Sequence, residues 1–170
     1  TGPKGTLHDY TFDELVNGGV SWGLSPFRFV NEKFSLYFGN GAVKDYQSGS
    51  RVASIAKSPA FNVPAGIKAR LTFSVWMETE GYTGSEKFDT LTVYVEDVDA
   101  GTSEKVWDSM STLSNNTNGV FERIYIDVSN WTGKKTRVHF MFDSGDSYFN
   151  DYEGCLLYTY PSTRDGLLSR

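Results

Sequence analysis

The chain has 170 residues, a length that fits a single domain able to bury its own core, and no composition bias points to a fibrous or disordered class. It is 39% hydrophobic and 15% aromatic with 17 Gly against 5 Pro, a balance that favours strands joined by turns. A net charge of −5 and a pI near 5.0 exclude a phosphate backbone or an anionic bilayer as the main partner, and a single cysteine, Cys155, excludes both a disulfide framework and a thiolate zinc site.

Residues 1–9 read as a loose end. The opening TGPKGT carries neither an initiator Met nor a signal pattern and reads as a processed product or excised domain. Residues 12–16 suggest at most a helical turn, too short to stand alone. SLYFGN then supplies a short strand around Leu36 and Phe38, and RVASI another around Val52. The clearest alternation is LTFSVWME, where Leu71, Phe73, Val75 and Met77 point one way and Thr72, Ser74, Trp76 and Glu78 the other. The same period recurs in LTVYVE (Leu91, Val93, Val95 inward), VFERIYIDV (Ile124, Ile126, Val128) and RVHFMF (Val138, Phe140, Phe142). Turn signals separate these runs: Gly39-Asn40-Gly41, Pro64-Ala65-Gly66, Gly81 to Ser85, Asp99-Ala100-Gly101, Asn115 to Gly119, Gly133 and Gly145. A last strand over Cys155 to Tyr160 ends at Pro161, and 161–170 is expected to be a second loose end. Short strands without βα alternation predict an all-β chain, one two-sheet antiparallel β-sandwich of jelly-roll type over residues 1–170. No run approaches a membrane-spanning length, so no membrane insertion is expected.

Catalysis finds little support. Only His8 and His139 could serve a nucleophile as base, His139 reads as an outward-facing strand residue, and no Gly-x-Ser-x-Gly elbow occurs. Cys155 before Leu156 and Leu157 reads as a small buried hydrophobe. The chain is therefore expected not to be an enzyme. The segment FDSGDSYFNDYEG, residues 142–154, packs Asp143, Asp146, Asn150, Asp151 and Glu153 among aromatics. Such oxygens suit calcium, which takes six to eight hard ligands, but equally suit a solvated loop of Asx-turns, and the spacing is not that of an EF-hand. Trp76 and Tyr94 fall on the polar faces of their strands and Trp107 in a turn-rich segment. Rings so placed either stack on pyranose faces or form a second layer of core.

SLYFGN, KSPAFNVPAG (57–66), LTFSVWMETEG (71–81), FDTLTVYVE (88–96) and FDSGDSYFNDYEG, taken in that order, resemble a MAM-like or galactose-binding-like jelly-roll module of secreted bacterial proteins. Such modules stand beside proteases, glycan-degrading enzymes and adhesins. The resemblance runs from about Ser35 to Gly154 and implies an extracellular, accessory, non-catalytic domain. Its implied partner is a carbohydrate or cell-surface glycan, bound through Trp76, Tyr94 and Trp107, with neighbouring domains of a parent protein as further partners. It also implies a structural calcium between a strand end and the late acidic loop, held by Asp143, Asp146, Asn150, Asp151, Glu153 and Glu80. The alternative it leaves open is a structural or adhesive module with no sugar ligand. One departure is plain: the acidic pair that the resemblance would place after Tyr-Glu-Gly is missing from CLLYTYPSTRDGLLSR.

Overall fold

A computed structural model describes residues 9–28, 34–80, 88–159 and 168–169. Strands β1 (Thr11–Glu14), β2 (Trp22–Ser25), β3 (Ser35–Phe38), β4 (Ala53–Lys57), β5 (Phe61–Asn62), β6 (Arg70–Glu78), β7 (Thr90–Asp97) and β8 (Thr102–Asp108) precede a five-residue helix, α1 (Ser109–Leu113). Then come β9 (Glu122–Asp127), a 3-10 turn at Ser129–Trp131, β10 (Lys135–Asp143), β11 (Gly154–Thr159) and β12 (Leu168–Ser169). The first sheet runs β1-β4-β10-β7-β8 with β5 also on β10, and the second runs β12-β6-β11-β3-β2 with β9 also on β6. Every one of these pairings is antiparallel, so the fold is the expected two-sheet sandwich.

The core lies between the sheets because period-two strands turn one apolar row inward. Leu71, Phe73, Val75, Leu91, Val93, Val95, Ile126, Val138, Phe140 and Phe142 are all buried there, as their alternation predicts. Ile124 is only half-buried, since β9 is an edge strand and packs against the rim of the core. Phe73 meets Phe140 and Trp107 edge-on at centroid distances of 5.3 and 5.6 Å, and Phe38 stacks on Phe142 at 4.3 Å.

Several elements differ from their sequence expectation. Residues 12–16 do not start a helical turn: Thr11–Glu14 is β1, hydrogen-bonded to β4, and Phe12 packs on the core. The strand starting at Cys155 is present as β11, and it lies between β6 and β3, an interior place in the second sheet. Leu168 and Ser169 pair with Leu71 and Arg70, so these two residues are tied to β6 and are not a loose end. The expected loose start at residues 1–8, the turn at Gly81 to Ser85, Tyr160 and residues 161–167 lie outside the described residues.

Candidate functional site

Beyond the core, two regions concentrate chemistry. The first is the junction where β6 ends, β7 begins and β10 runs into the acidic loop. Asp89 stands at the entry to β7 with φ of 53° and no solvent exposure. Its Oδ2 accepts from the Tyr46 hydroxyl at 2.8 Å and from the Glu80 backbone N–H at 2.9 Å, which ties the end of one sheet to the start of a strand in the other. Its Oδ1 is buried without a donor among the described residues, and so is the side-chain oxygen of Asn150, itself fully buried. Burial first, then the nearby carboxylates of Glu80 and Asp146, outweigh the two hydrogen bonds and push Asp89 up to about 7. Glu80 is raised too, by burial and by Asp146.

Asn150 and Asp89 are linked through Tyr46, whose backbone N–H donates to the Asn150 carbonyl at 3.2 Å while its hydroxyl reaches Asp89. Asn150 Nδ2 donates to the Asp146 carbonyl at 3.4 Å. Asp89 is thus a buried carboxylate that feels two further carboxylates, Glu80 and Asp146, through space, an arrangement that is costly unless the carboxyl is protonated or balanced by a cation. Carboxylates alone do not complete a cation site: among the described residues no three His, Cys, Asp or Glu side chains converge on a metal position. The fit therefore depends on amide and main-chain oxygens joining Asp89, Glu80 and Asp146.

Of the six residues expected to ligate, Glu80, Asp146 and Asn150 gather here. The other three are used elsewhere or stand apart. Asp143 takes two hydrogen bonds from Arg51, at 2.8 and 2.5 Å, and one from the Gly145 N–H at 2.9 Å, which together hold its carboxyl below the usual value against the effect of burial. Glu153 takes two from Arg28, both at 2.8 Å, and Asp151 is exposed. Asp89, the best buried carboxylate of the group, went unnoticed in the sequence because it precedes its strand in FDTLTVYVE and looks like a turn residue.

The second region is the aromatic surface, where the three expected sugar-stacking residues divide. Trp76 is 3% exposed on the outer side of β6, in a row with Leu156 and Tyr37. The Arg28 guanidinium lies over its ring at 4.4 Å, held there by Glu153, and Phe27 stands edge-on to Tyr37 at 5.0 Å. The face expected to carry an exposed Trp is thus covered by the chain itself, and Trp76 belongs to a second hydrophobic layer. Trp107 points into the main core against Phe73, because a β-bulge between Val93 and Tyr94 in the β7–β8 ladder inserts Val106 and resets the alternation.

Tyr94 lies on the outer face of the first sheet, partly exposed. Register aligns it with Lys105 on one side and His139 on the other, and His139 with Lys57, which in turn faces Thr11 on β1. This row crosses five strands, about 19 Å at the usual strand spacing. Its polar groups are held in place: His139 Nε2 lies 2.8 Å from Glu96, Arg137 reaches the same carboxylate at 3.4 Å, and Lys57 pairs with Asp13 at 2.7 Å. Burial holds the His139 imidazole below its ordinary pKa despite Glu96, which acts the other way.

No family model matches the chain. No curated protein matches it either. Solved structures do. The carbohydrate-binding module TmCBM61, in complex with beta-1,4-galactotriose, superposes with a TM-score of 0.54 at 10% identity over 91% of this chain and 86% of its own. The K3 cleaved adhesin domain of Lys-gingipain from Porphyromonas gingivalis W83 gives 0.56 at 13% identity, over 88% of each chain. Structures similar to this chain thus include carbohydrate-binding modules and adhesin domains of the β-sandwich type, and at such identities the likeness establishes the fold.

Proposed function

We propose that this chain is a non-catalytic carbohydrate-binding module of a secreted bacterial protein, related to the MAM-like and galactose-binding-like jelly rolls, and that the outer face of its first sheet receives the glycan. The observation that carries this reading is the row Lys105–Tyr94–His139–Lys57 on the outer sheet face: a partly exposed aromatic ring between two lysines, with His139 beside it nearly buried and fixed by Glu96. A pyranose packs its apolar face on such a ring while neighbouring polar groups bond its hydroxyls, and pre-ordered side chains lose little entropy on binding. The sandwich likeness to TmCBM61, whose ligand is a galactotriose, supports the reading. Under the same reading a calcium ion has a structural role. Asp89, Glu80, Asp146 and Asn150 would hold it, clamping the acidic loop to the sandwich without contributing to any reaction.

The test is retention on a panel of soluble polysaccharides by affinity electrophoresis. Wild type should be retarded by at least one, and Tyr94→Ala should weaken that binding about tenfold, the equivalent of about 1.4 kcal/mol. Its melting temperature should stay nearly unchanged. No retardation by any neutral or acidic polymer would overturn the reading. It would favour a structural or adhesive module, which the similarity to a gingipain adhesin domain also supports.

A further inference from the structure

The acidic loop bears two large rings that the fold does not use. Tyr148 and Phe149 are 69% and 65% exposed, while Phe142 at the loop's start is fully buried and Tyr152 near its end packs on the core. The aromatics of this loop therefore fall into two sets, anchors at the base and a pair at the tip.

The tip is held rigidly. Ser144, fully buried, accepts from the Val52 N–H at 3.0 Å and donates to the Asp146 carbonyl at 2.7 Å. Asp146 Oδ1 accepts from the Tyr148 N–H at 2.8 Å, and the next residue after the pair, Asn150, is sealed into the interior. Between these fixed points Phe149 has φ of 52°, a left-handed backbone that a bulky residue seldom adopts and that Gly or Asn would adopt more readily. A strained backbone carrying an exposed Phe beside an exposed Tyr runs against both local conformational preference and the hydrophobic effect. Such conflicts concentrate at ligand contacts.

The surrounding charge selects the ligand. Asp146 and Asp151 flank the rings in sequence, and among the described residues the two arginines that pair with this loop are already engaged, Arg51 with Asp143 and Arg28 with Glu153. That negative field opposes uronate, sulfate and phosphate groups. A neutral sugar has an apolar ring face for the aromatics and hydroxyl donors for carboxylates, which only accept. We infer that Tyr148 and Phe149 form a second stacking site, for a neutral pyranose whose hydroxyls are accepted by the exposed Asp151 carboxylate. This rests on the carbohydrate-binding reading and adds a site apart from the Tyr94 row.

The test uses the full chain in affinity electrophoresis against neutral polymers (galactan, mannan, xylan, a β-glucan) and anionic ones (polygalacturonate, a sulfated galactan). It compares wild type, Tyr94→Ala, Tyr148→Ala, Asp151→Asn and the double variant Tyr148→Ala/Phe149→Ala. On a neutral polymer the double variant should bind at least tenfold more weakly. Tyr148→Ala and Asp151→Asn should each lose several-fold, with melting temperatures unmoved. Equal neutral-polymer binding by wild type and double variant overturns this site and leaves the module reading intact if Tyr94→Ala still weakens binding. Retention by anionic polymers alone overturns the assigned ligand class in the same way. A wild type that no polymer retards overturns both inferences.

Discussion

At the level of single residues, Asp89 and Asp143 show how partner and burial separate two carboxylates that look alike in sequence. Asp143 has Arg51 and the Gly145 N–H, whereas Asp89 is sealed with one oxygen lacking a donor among the described residues. Calcium at a hundredfold above its Kd should therefore stabilise the wild type by roughly 2.7 kcal/mol, raising Tm by about 5–10 °C for a domain of this size. In differential scanning fluorimetry Asp89→Asn should abolish that rise. Asp143→Asn should keep it while lowering Tm slightly at every calcium level, since a partly exposed pair contributes about 1 kcal/mol. A calcium effect that survives Asp89→Asn would remove Asp89 from the ligand set. His139 gives a pH prediction. Its folded pKa lies below the unfolded value of about 6.5, so the unfolded chain takes up the proton first. The contribution is fully present above about pH 6.5 and is lost as pH falls below it. Asp89, raised to about 7 in the metal-free protein, has the opposite sign, favouring the fold at low pH and ceasing to do so as pH rises through 7. The difference in Tm between wild type and His139→Gln cancels the Asp89 part and should shrink from pH 7.5 to pH 5.5. A constant difference would mean that the imidazole stays neutral in both states or titrates alike in both. Sequence singles out Glu80, Asp146 and Asn150 only as oxygen-bearing residues in an acidic stretch or at a strand end. Asp89 was not legible, because nothing local distinguishes a buried Asp from one opening a turn.

At the level of strands, alternation was legible wherever one face meets the core and the other face's neighbours are irrelevant to the pattern. In β6, β7 and β10 every apolar residue that it turns inward is buried. What alternation could not disclose is whether the polar face is also covered. β6 is buried on both sides, and Trp76, placed on its outer side by period two, lies beneath Arg28. β8 was missed because TSEKVWD carries charge instead of a repeating apolar set, as suits an edge strand, and its bulge turns Trp107 inward where a strict count from Lys105 would turn it out. Phe73, which contacts rings of both β8 and β10, should show its place plainly: Phe73→Ala should cost about 3–5 kcal/mol in urea unfolding, through lost transfer energy and a cavity. Gly154 opens β11 with φ of 96°, and a Cβ there would lie 2.4 Å from the Phe38 carbonyl oxygen. Since both the backbone angle and the space exclude a side chain, Gly154→Ala should destabilise by about 2 kcal/mol or more. A loss under about 0.5 kcal/mol would mean that the β3–β11 junction yields easily.

At the level of the whole molecule, the two sheets are joined at one end through Asp89, whose carboxylate takes a hydrogen bond from the N–H of Glu80, two residues past the end of β6. The outer face of the first sheet and the loop tip then lie on a frame whose core is shared by both sheets. The order of strands has a further consequence, for how the chain is made. β11 is nearly the last strand in sequence, yet it is inserted between β6 and β3, pairing Leu156 with Trp76 on one side and with Tyr37 on the other. During synthesis β6 can meet β9 and β2 can meet β3 early, but these two ribbons have no partner to join them until residue 159 has left the ribosome. Contacts that span so much of the chain close slowly, on the scale of milliseconds to seconds. A nascent chain stopped ahead of Gly154 should accordingly remain open to protease, its half-built second sheet exposing Leu36, Phe38, Val75 and Met77, and should become resistant only when β11 slots into the gap left for it.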